Sequence, residues 1–245
     1  MNEKKRIFVI AGEPSGDQHA AEYIKKHTDI NPNIIFDAFG QNDIKKTNAN
    51  LIYDTEKISV IGIVEVVLRY RQIYQALNIA KEYIKDKKPD LIVLVDYIEF
   101  NLKIAKYARN LGIPVLFYIA PQVWAWREKR AKKFIQATNH LAVIFPFEEN
   151  YFKKYTNNVT YVGHPLSKVS GLTDSVKNYD QRNIDLGLFP GSRESEIKNN
   201  LHQMIDCIQK KKEEKIRIFY ANETAKKIIK ELLPSEYHTL LVPGN

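Results

Sequence analysis

The sequence contains a single cysteine, Cys207, among its 245 residues. An intramolecular disulfide is therefore excluded, and a reducing compartment is favoured. Glycine and proline are also sparse, with ten of each, whereas 44% of the residues are hydrophobic and 27% are charged. This composition is typical of a folded globular chain rather than of a disordered or fibrous one.

Long apolar runs are missing as well. The first apolar run, residues 6–10, has the length of a strand and is not followed by the small-residue cleavage site of a secretion signal. No stretch approaches the roughly 20 apolar residues that cross a bilayer. We expect a cytoplasmic protein that associates only peripherally with a membrane.

Several familiar ligand-binding motifs are absent. The chain has no cysteine and histidine cluster with metal-ligand spacing, and no evident nucleophilic triad. Zinc-finger spacing, an RNP motif and a basic zipper are missing too, so we expect no metal, no other cofactor and no nucleic-acid partner. The net charge of +8 comes mostly from lysine. It indicates either a solvated surface or attraction to nucleotides, phosphosugars or anionic lipid headgroups.

Apolar runs alternate with helical patterns along the chain, which predicts parallel βαβ units and a doubly wound, Rossmann-like sheet. Ligands bind such sheets at the C-terminal ends of the strands. Helices are expected over 15–27, 63–85 and 102–111, after the turn at 190–193 to about 212, and again through 233. Strands are expected over 6–10, 34–39, 91–95, 115–119, 141–145, 159–162, 184–189, 216–220 and 240–242.

A polar segment, residues 171–183, predicts a linker between an N-terminal domain over 1–170 and a second domain over 184–245. The second domain starts a new βαβαβ pattern and then stops. A unit of only about 60 residues is marginal by itself. We expect it to lean on the first domain, to pair with another chain, or to belong to a shortened protein.

Two candidate sites follow predicted strands in the first domain. In the loop over 11–17, Gly12 and Gly16 allow tight backbone geometry, and the helix start offers free N–H groups to an anion or a sugar hydroxyl. The loop equally fits a plain turn in which Ser15 caps the helix. Asp96 ends the buried strand 91–95, where partial desolvation favours a general base, although a helix cap fits too.

Four further features are ambiguous from their pattern alone. Trp124 and Trp126 precede Arg127 and suit a sugar ring, an acyl chain or simple packing. His164 follows a short strand and fits either a ligand contact or a structural role. Arg193, after a strand-to-helix turn, fits a phosphate clamp or an exposed capped turn. The helix from residue 63 begins apolar nearly all round, which indicates either a membrane interface or a core helix.

Taken together, these segments closely resemble the lipid-A-disaccharide synthase family. The two most specific matches are A-G-E-x-S-G-D at 11–17 and Y-x-x-P-x-V-W-A-W-R at 118–127. The motifs G-I-V-E-V at 62–66 and V-G-H-P at 162–165 also match in full. Residues 95–101 resemble the family's I-D-A-P-D-F-N, residues 189–193 resemble L-P-G-S-R, and residues 145–148 match L-P-F-E except at the first position.

The resemblance implies a GT-B architecture with two Rossmann-like domains. It implies transfer of 2,3-diacylglucosamine from its UDP derivative to 2,3-diacylglucosamine 1-phosphate (lipid X), with inversion and release of UDP. The reaction would take place at the cytoplasmic face of the inner membrane of a Gram-negative bacterium. Asp96 matches the family's general base. The resemblance further implies substrate contacts at Glu13, Ser15, Gly16, Asn101, Trp124, Arg127 and His164, UDP contacts at Gly191, Ser192 and Arg193, and membrane contacts at Val64, Val67, Leu68, Arg69 and Arg71.

Two departures from the family pattern bear most on function. Tyr97 and Ile98 stand where the family has alanine and proline, which would reshape the acceptor pocket. The family also continues into a serine-glycine-threonine segment and a glutamate that hold the UDP, beyond residue 245. Three alternatives follow: a synthase completed as a homodimer or by a complementing C-terminal chain, a shortened inactive member that binds acylated sugar, and a GT-B relative such as a UDP-sugar epimerase. The tryptophan segment argues against the last.

Overall fold

The computed structural model describes residues 4–58, 70–120, 128–168, 183–192, 194–210 and 215–244. The chain divides into two compact units, Met1–Val169 and Ser170–Asn245. Both units are built from parallel strands and helices in alternation, which confirms the predicted Rossmann-like α/β class. The predicted linker lies outside the described residues except for its last residue.

The first unit contains a seven-stranded parallel sheet in the order β3-β2-β1-β4-β5-β6-β7. The order reverses between β1 and β4, and the carboxyl ends of these two strands mark the crevice where such sheets bind ligands. The strands are β1 Arg6–Ala11, β2 Ile35–Gly40, β3 Asn50–Asp54, β4 Leu91–Val95, β5 Val115–Tyr118, β6 His140–Val143 and β7 Val159–Tyr161.

Helices cover both faces of this sheet. Side chains alternate along β1, so Phe8 and Ile10 pack into one apolar core while Ile7 and Val9 pack into the other. That double burial explains why the strand is apolar at every position. The α-helices are α1 Pro14–Ile30, α2 Tyr70–Lys87, α3 Ile98–Asn110, α4 Glu128–Ala137 and α5 Pro146–Lys153, and short 3₁₀ turns lie at Ile44–Lys46, Thr55–Lys57 and Pro165–Lys168.

The second unit has three parallel strands in the order β10-β9-β8. Its core forms where Leu188 and Ile218 of the sheet meet Ile197 and Ile229 of the helices. The elements are β8 Leu186–Leu188, α6 Glu194–Lys210, β9 Ile216–Tyr220, α7 Glu223–Leu232, a 3₁₀ turn at Ser235–Leu240 and β10 Leu241–Pro243.

The structure corrects several sequence predictions. The cap prediction for Ser15 is wrong, because α1 begins at Pro14 with Glu13 at the N-cap position and without a side-chain cap. Asp96 does not cap α3 either, since Tyr97 occupies that position. The strand β3 and the helix α5 were not predicted. Gly112, two residues after the end of α3, has a left-handed φ of 74°.

The apolar helix predicted over 63–85 is described only in part. Its described portion is α2, and residues 63–69 lie outside the described residues. Within the described portion of the chain, no helix is both long enough and apolar enough to cross a bilayer.

Candidate active site

The loops that follow β1 and β4 lie side by side at the reversal of strand order. Ala11 pairs with Val95 in the register of these two parallel strands. The chain therefore delivers Gly12 and Asp96, the next residues of the two strands, to the same edge of the sheet. This is the edge at which the sequence predicts a site.

The backbone at Asp96 adopts a conformation that is rare outside glycine. Asp96 and Tyr97 have φ values of 51° and 45°, both in the left-handed region. Such residues cost about 1–3 kcal/mol each and persist only when their surroundings hold them. The amide of Asn101 provides part of that hold, because it donates to the carbonyl oxygens of Val95 and Asp96 over 3.2 and 2.7 Å.

Asn101 therefore stabilises the loop through two hydrogen bonds to its backbone. Its side chain is fully buried. The sequence proposed it as a substrate contact, whereas its described contacts are with the backbone of the Asp96 loop. It holds the backbone on which the Asp96 carboxylate is carried.

Two opposing effects act on the pKa of the Asp96 carboxylate. Burial raises its pKa above the ordinary value, and a hydrogen bond donated by the hydroxyl of Ser15 lowers it in part. Gly16 lies against the same group, since a Cβ atom placed there would be 3.3 Å from Oδ2 of Asp96. Ser15 and Gly16 thus bring the start of α1 into contact with the carboxylate.

Gly12 leaves room for the side chain of Tyr97. A Cβ atom at Gly12 would lie 2.3 Å from the ring of Tyr97, a distance that real structures do not allow. The Tyr97 hydroxyl donates to the carbonyl of Ile58 over 3.2 Å. Burial raises the pKa of Tyr97 to about 12, so the hydroxyl stays protonated at neutral pH.

Asp17 anchors the surrounding loops, a role that the sequence reasoning missed. Its buried carboxylate accepts hydrogen bonds from the backbone N–H groups of Gln41 and Asp43 over 2.6 and 2.7 Å. The side-chain amide of Gln41 in turn donates to the carbonyl of Gly12 over 3.1 Å. The last residue of the G-D pair thereby ties α1 to the loop after β2.

An apolar cavity of about 420 Å³ opens beside Asp96. Its polar lining includes Glu13, Asp96, Glu99 and the exposed Lys103. The remainder comes mostly from α2 and α3, through Tyr70, Ile73, Tyr74, Leu77, Ile98 and Phe100. The helical spacing of 70, 73, 74 and 77 was visible in the sequence, but that spacing by itself predicts a core face and not a cavity wall.

The other predicted site residues are placed as follows. His164 follows β7, with its ring centroid 5.3 Å from that of Phe145. Burial lowers the pKa of His19 on α1. The negative charge of Glu22 opposes this effect, and the positive charge of a protonated His164 adds to it. Arg71 is exposed in the first turn of α2. Trp124, Arg127, Arg193, Val64, Val67, Leu68 and Arg69 lie outside the described residues.

In the second unit, a backbone N–H group in the turn after β8 is already hydrogen-bonded to a side chain of α6. Gly191 has a φ of 121°, which favours glycine. The backbone N–H of Ser192 donates to Oε2 of Glu196 over 3.2 Å. An anion bound to that N–H would compete with this carboxylate. Among the described residues, no cluster of histidine, cysteine and carboxylate side chains is arranged to hold a metal ion.

Comparison with solved structures defines the class of fold. The UDP-GlcNAc 2-epimerase of Neisseria meningitidis, solved with UDP-GlcNAc, is 14% identical, with a TM-score of 0.63 over 98% of this chain and 72% of that one. MurG of Acinetobacter baumannii is 15% identical, with a TM-score of 0.52 over 98% of this chain and 65% of that one. The fold is thus GT-B-like.

Comparison of sequences defines the family. The family model described as lipid-A-disaccharide synthetase matches residues 7–241. The lipid-A-disaccharide synthase of Nitrosococcus oceani is 37% identical over 231 residues, which is 89% of this chain and 58% of that protein. The enzyme of that name from Coxiella burnetii strain CbuK_Q154 is 38% identical over 211 residues, 83% of this chain and 56% of that protein.

The chain therefore belongs to the lipid-A-disaccharide synthetase family, a glycosyltransferase family of lipid A biosynthesis. It spans somewhat more than half the length of the curated relatives that it matches. The family assignment made from the motifs is confirmed.

Proposed function

We propose that this chain provides the acceptor side of a lipid-A-disaccharide synthase. The reaction joins UDP-2,3-diacylglucosamine to lipid X and gives lipid A disaccharide 1-phosphate and UDP. The observation that carries this proposal is the partly buried carboxylate of Asp96 at the edge of an apolar cavity, at the reversal of strand order. A sugar hydroxyl and an acyl chain on one molecule match that combination of groups.

The chemistry requires one proton acceptor. The 6-hydroxyl oxygen of lipid X forms a bond to the anomeric carbon of the donor, and the bond from that carbon to the UDP oxygen breaks. Asp96 takes the hydroxyl proton as the new bond forms, and UDP leaves with the electron pair. A single displacement inverts the anomeric carbon. A carboxylate whose pKa is raised by burial is better matched to this task than an ordinary one.

The cavity supplies a place for acyl carbon atoms. Six of its lining residues are aliphatic or aromatic side chains on α2 and α3. Each buried methylene contributes about 0.8 kcal/mol to binding, so one chain anchors the acceptor beside Asp96. Lys103 lies exposed at the same cavity and is positioned to attract the phosphate of lipid X. Glu13, on the opposite loop, is a candidate partner for sugar hydroxyls.

Helix α2 also offers a route from a membrane into the cavity. Tyr70 and Tyr74 are 63% and 54% exposed on the first turns of α2, beside the exposed Arg71. Aromatic rings and a cation together suit the interface of an anionic bilayer. We infer that this end of α2 rests on the cytoplasmic face of the inner membrane, together with Val64, Val67, Leu68 and Arg69. Lipid X would then enter the cavity directly from the bilayer.

The UDP contacts are proposed in the second unit. Gly191, Ser192 and Arg193 follow β8 at the start of α6, where backbone N–H groups attract phosphate. UDP would displace Glu196 from the N–H of Ser192. His164, Trp124 and Arg127 remain proposed substrate contacts of the first unit.

A second candidate function is binding of acylated sugar without transfer. It is favoured by one observation, namely that the cavity and Asp96 belong entirely to the first unit. Acceptor binding then needs no contact from the second unit.

The discriminating experiment supplies purified chain with UDP-2,3-diacylglucosamine and lipid X in mixed micelles. The synthase proposal predicts equimolar UDP and disaccharide, with a β anomeric coupling in the proton spectrum of the product. Lipid X binding without any product from correctly folded protein would contradict transfer by this chain and support the second candidate. Absence of both binding and product would contradict both candidates.

A further inference from the structure

The ring of Tyr97, the residue after Asp96, forms part of the cavity wall. Tyr97 lines the cavity together with Leu77 and Phe100, which are only 6% and 4% exposed. Tyr70 and Tyr74, in contrast, are mostly exposed and form its mouth. The lining of the cavity therefore ranges from mostly exposed rings to nearly buried side chains, with the partly buried Tyr97 next to Asp96.

The Tyr97 ring is held on three sides. One face lies against Gly12, where even a Cβ atom would be 2.3 Å away. The ring stacks on Phe100 with centroids 5.2 Å apart and planes inclined by 24°. The hydroxyl is tied to the carbonyl of Ile58 over 3.2 Å. A ring with these contacts cannot swing aside to admit a longer ligand.

We propose that Tyr97 is a specificity-determining residue that limits the length of acyl chain the cavity accepts. This inference rests on the proposed function, because it takes the cavity as an acyl site. The matching family motif, I-D-A-P-D-F-N, has alanine where this chain has Tyr97. With alanine, the space of the ring would be open to additional methylene groups. This chain therefore prefers a shorter acyl chain than the same cavity would without the ring.

The test measures affinity against chain length and does not require turnover. The probes are glucosamine 1-phosphates that carry a single 3-O-acyl chain, from octanoyl to palmitoyl, titrated below their micelle concentrations in a calorimeter. Affinity should rise about fourfold per methylene while added carbons are buried, and then level off once the cavity is full. The chain length at which the affinity levels off is the quantity of interest.

Three substitutions isolate the ring. Tyr97→Ala should move the levelling point to a longer chain, and Tyr97→Leu should move it by a smaller amount. Tyr97→Phe keeps the ring and should leave the levelling point unchanged. Tyr74→Ala removes a ring of the same kind from the mouth of the cavity, so it should weaken every probe and leave the levelling point in place. Thermal melting confirms that each variant is folded, and Tyr97→Leu carries the test if Tyr97→Ala is not.

Two negative results have different meanings. A levelling point that is present in the parent and identical in Tyr97→Ala or Tyr97→Leu would overturn the role of Tyr97 alone. Affinities that do not depend on chain length even in the parent protein would overturn the acyl site itself, and the proposed function with it.

Discussion

The Oδ2 atom of Asp96 lies 3.3 Å from the position that a Cβ atom on Gly16 would occupy. Residue 16 is therefore subject to two opposing effects, one on the stability of α1 and one on the position of the carboxylate. Gly16 lies within α1, where alanine is intrinsically the better residue by about 1 kcal/mol. The carboxylate of Asp96, however, has to move by a few tenths of an ångström to make room for alanine.

Gly16→Ala should consequently reduce turnover while leaving the fold intact. We expect a loss of roughly tenfold, because small displacements of catalytic groups are costly. The free energy of unfolding should stay within about 1 kcal/mol of the parent value. The matched control is Gly12→Ala, in which the new Cβ collides with the fixed ring of Tyr97 and the protein should be clearly destabilised. Full activity in Gly16→Ala would show that the carboxylate does not need this position.

The pH dependence of turnover should report the environment of Asp96. Burial raises the pKa of this carboxyl group, so the acid limb of kcat/KM should lie above the ordinary pKa of aspartate. The hydroxyl of Ser15 opposes that shift, and Ser15→Ala should therefore move the limb to still higher pH. Ser235→Ala, in the second unit, is the control. If Ser15→Ala leaves the acid limb at the same pH, the limb does not report the ionisation of Asp96.

Asp96→Asn should stabilise the protein at neutral pH. The folded-state pKa of Asp96 is raised above the unfolded value, so the folded state binds this proton more tightly. Stability is then greatest below the unfolded pKa and is lost as the pH rises through the folded pKa. The uncharged amide escapes that loss. We expect a gain in the free energy of unfolding, measured by urea denaturation at pH 7, that shrinks as the pH falls from the raised folded-state pKa towards the ordinary pKa of aspartate and is absent below it. A variant that is less stable at pH 7 would contradict the burial of the charge.

Membrane binding by α2 should depend on where positive charge lies along the helix and not on the total charge of the chain. Arg71→Glu reverses a charge at the exposed first turn, whereas Lys87→Glu reverses one at the opposite end of the same helix. Binding to anionic phospholipid vesicles should fall by on the order of tenfold in Arg71→Glu and much less in Lys87→Glu. Equal losses in a flotation assay would indicate non-specific attraction by the net charge of the whole chain.

The sequence predicts the class of fold and the polar half of the site. Strand-like runs of uniform apolarity locate β1 and β4, and the rule for strand ends then brings Ser15 and Asp96 together. The apolar half was missed because the spacing of Tyr70, Tyr74 and Leu77 is the same on a core helix and on a cavity wall. Only the tertiary packing distinguishes these two roles.

Local conformation was harder to predict. Aspartate tolerates left-handed backbone, but its residue type alone does not predict that conformation at both Asp96 and Tyr97. The hydrogen bond from Asn101 and the lack of a side chain at Gly12, which accommodate it, appear only in the folded structure. The strand β3 was overlooked because it is a short, partly buried edge strand with a register shift against β2. Its period-2 signal is therefore weak.

The most direct test of the proposed mechanism separates binding from chemistry at Asp96. Asp96→Asn keeps the size of the side chain and removes the proton acceptor, and Asp86→Asn makes the same change at an exposed position on α2. We expect kcat to fall by roughly 100-fold or more in Asp96→Asn. The calorimetric affinity for lipid X should stay within a few-fold of the parent value, and Asp86→Asn should match the parent in both. Near-normal kcat in Asp96→Asn would remove this carboxylate from the reaction.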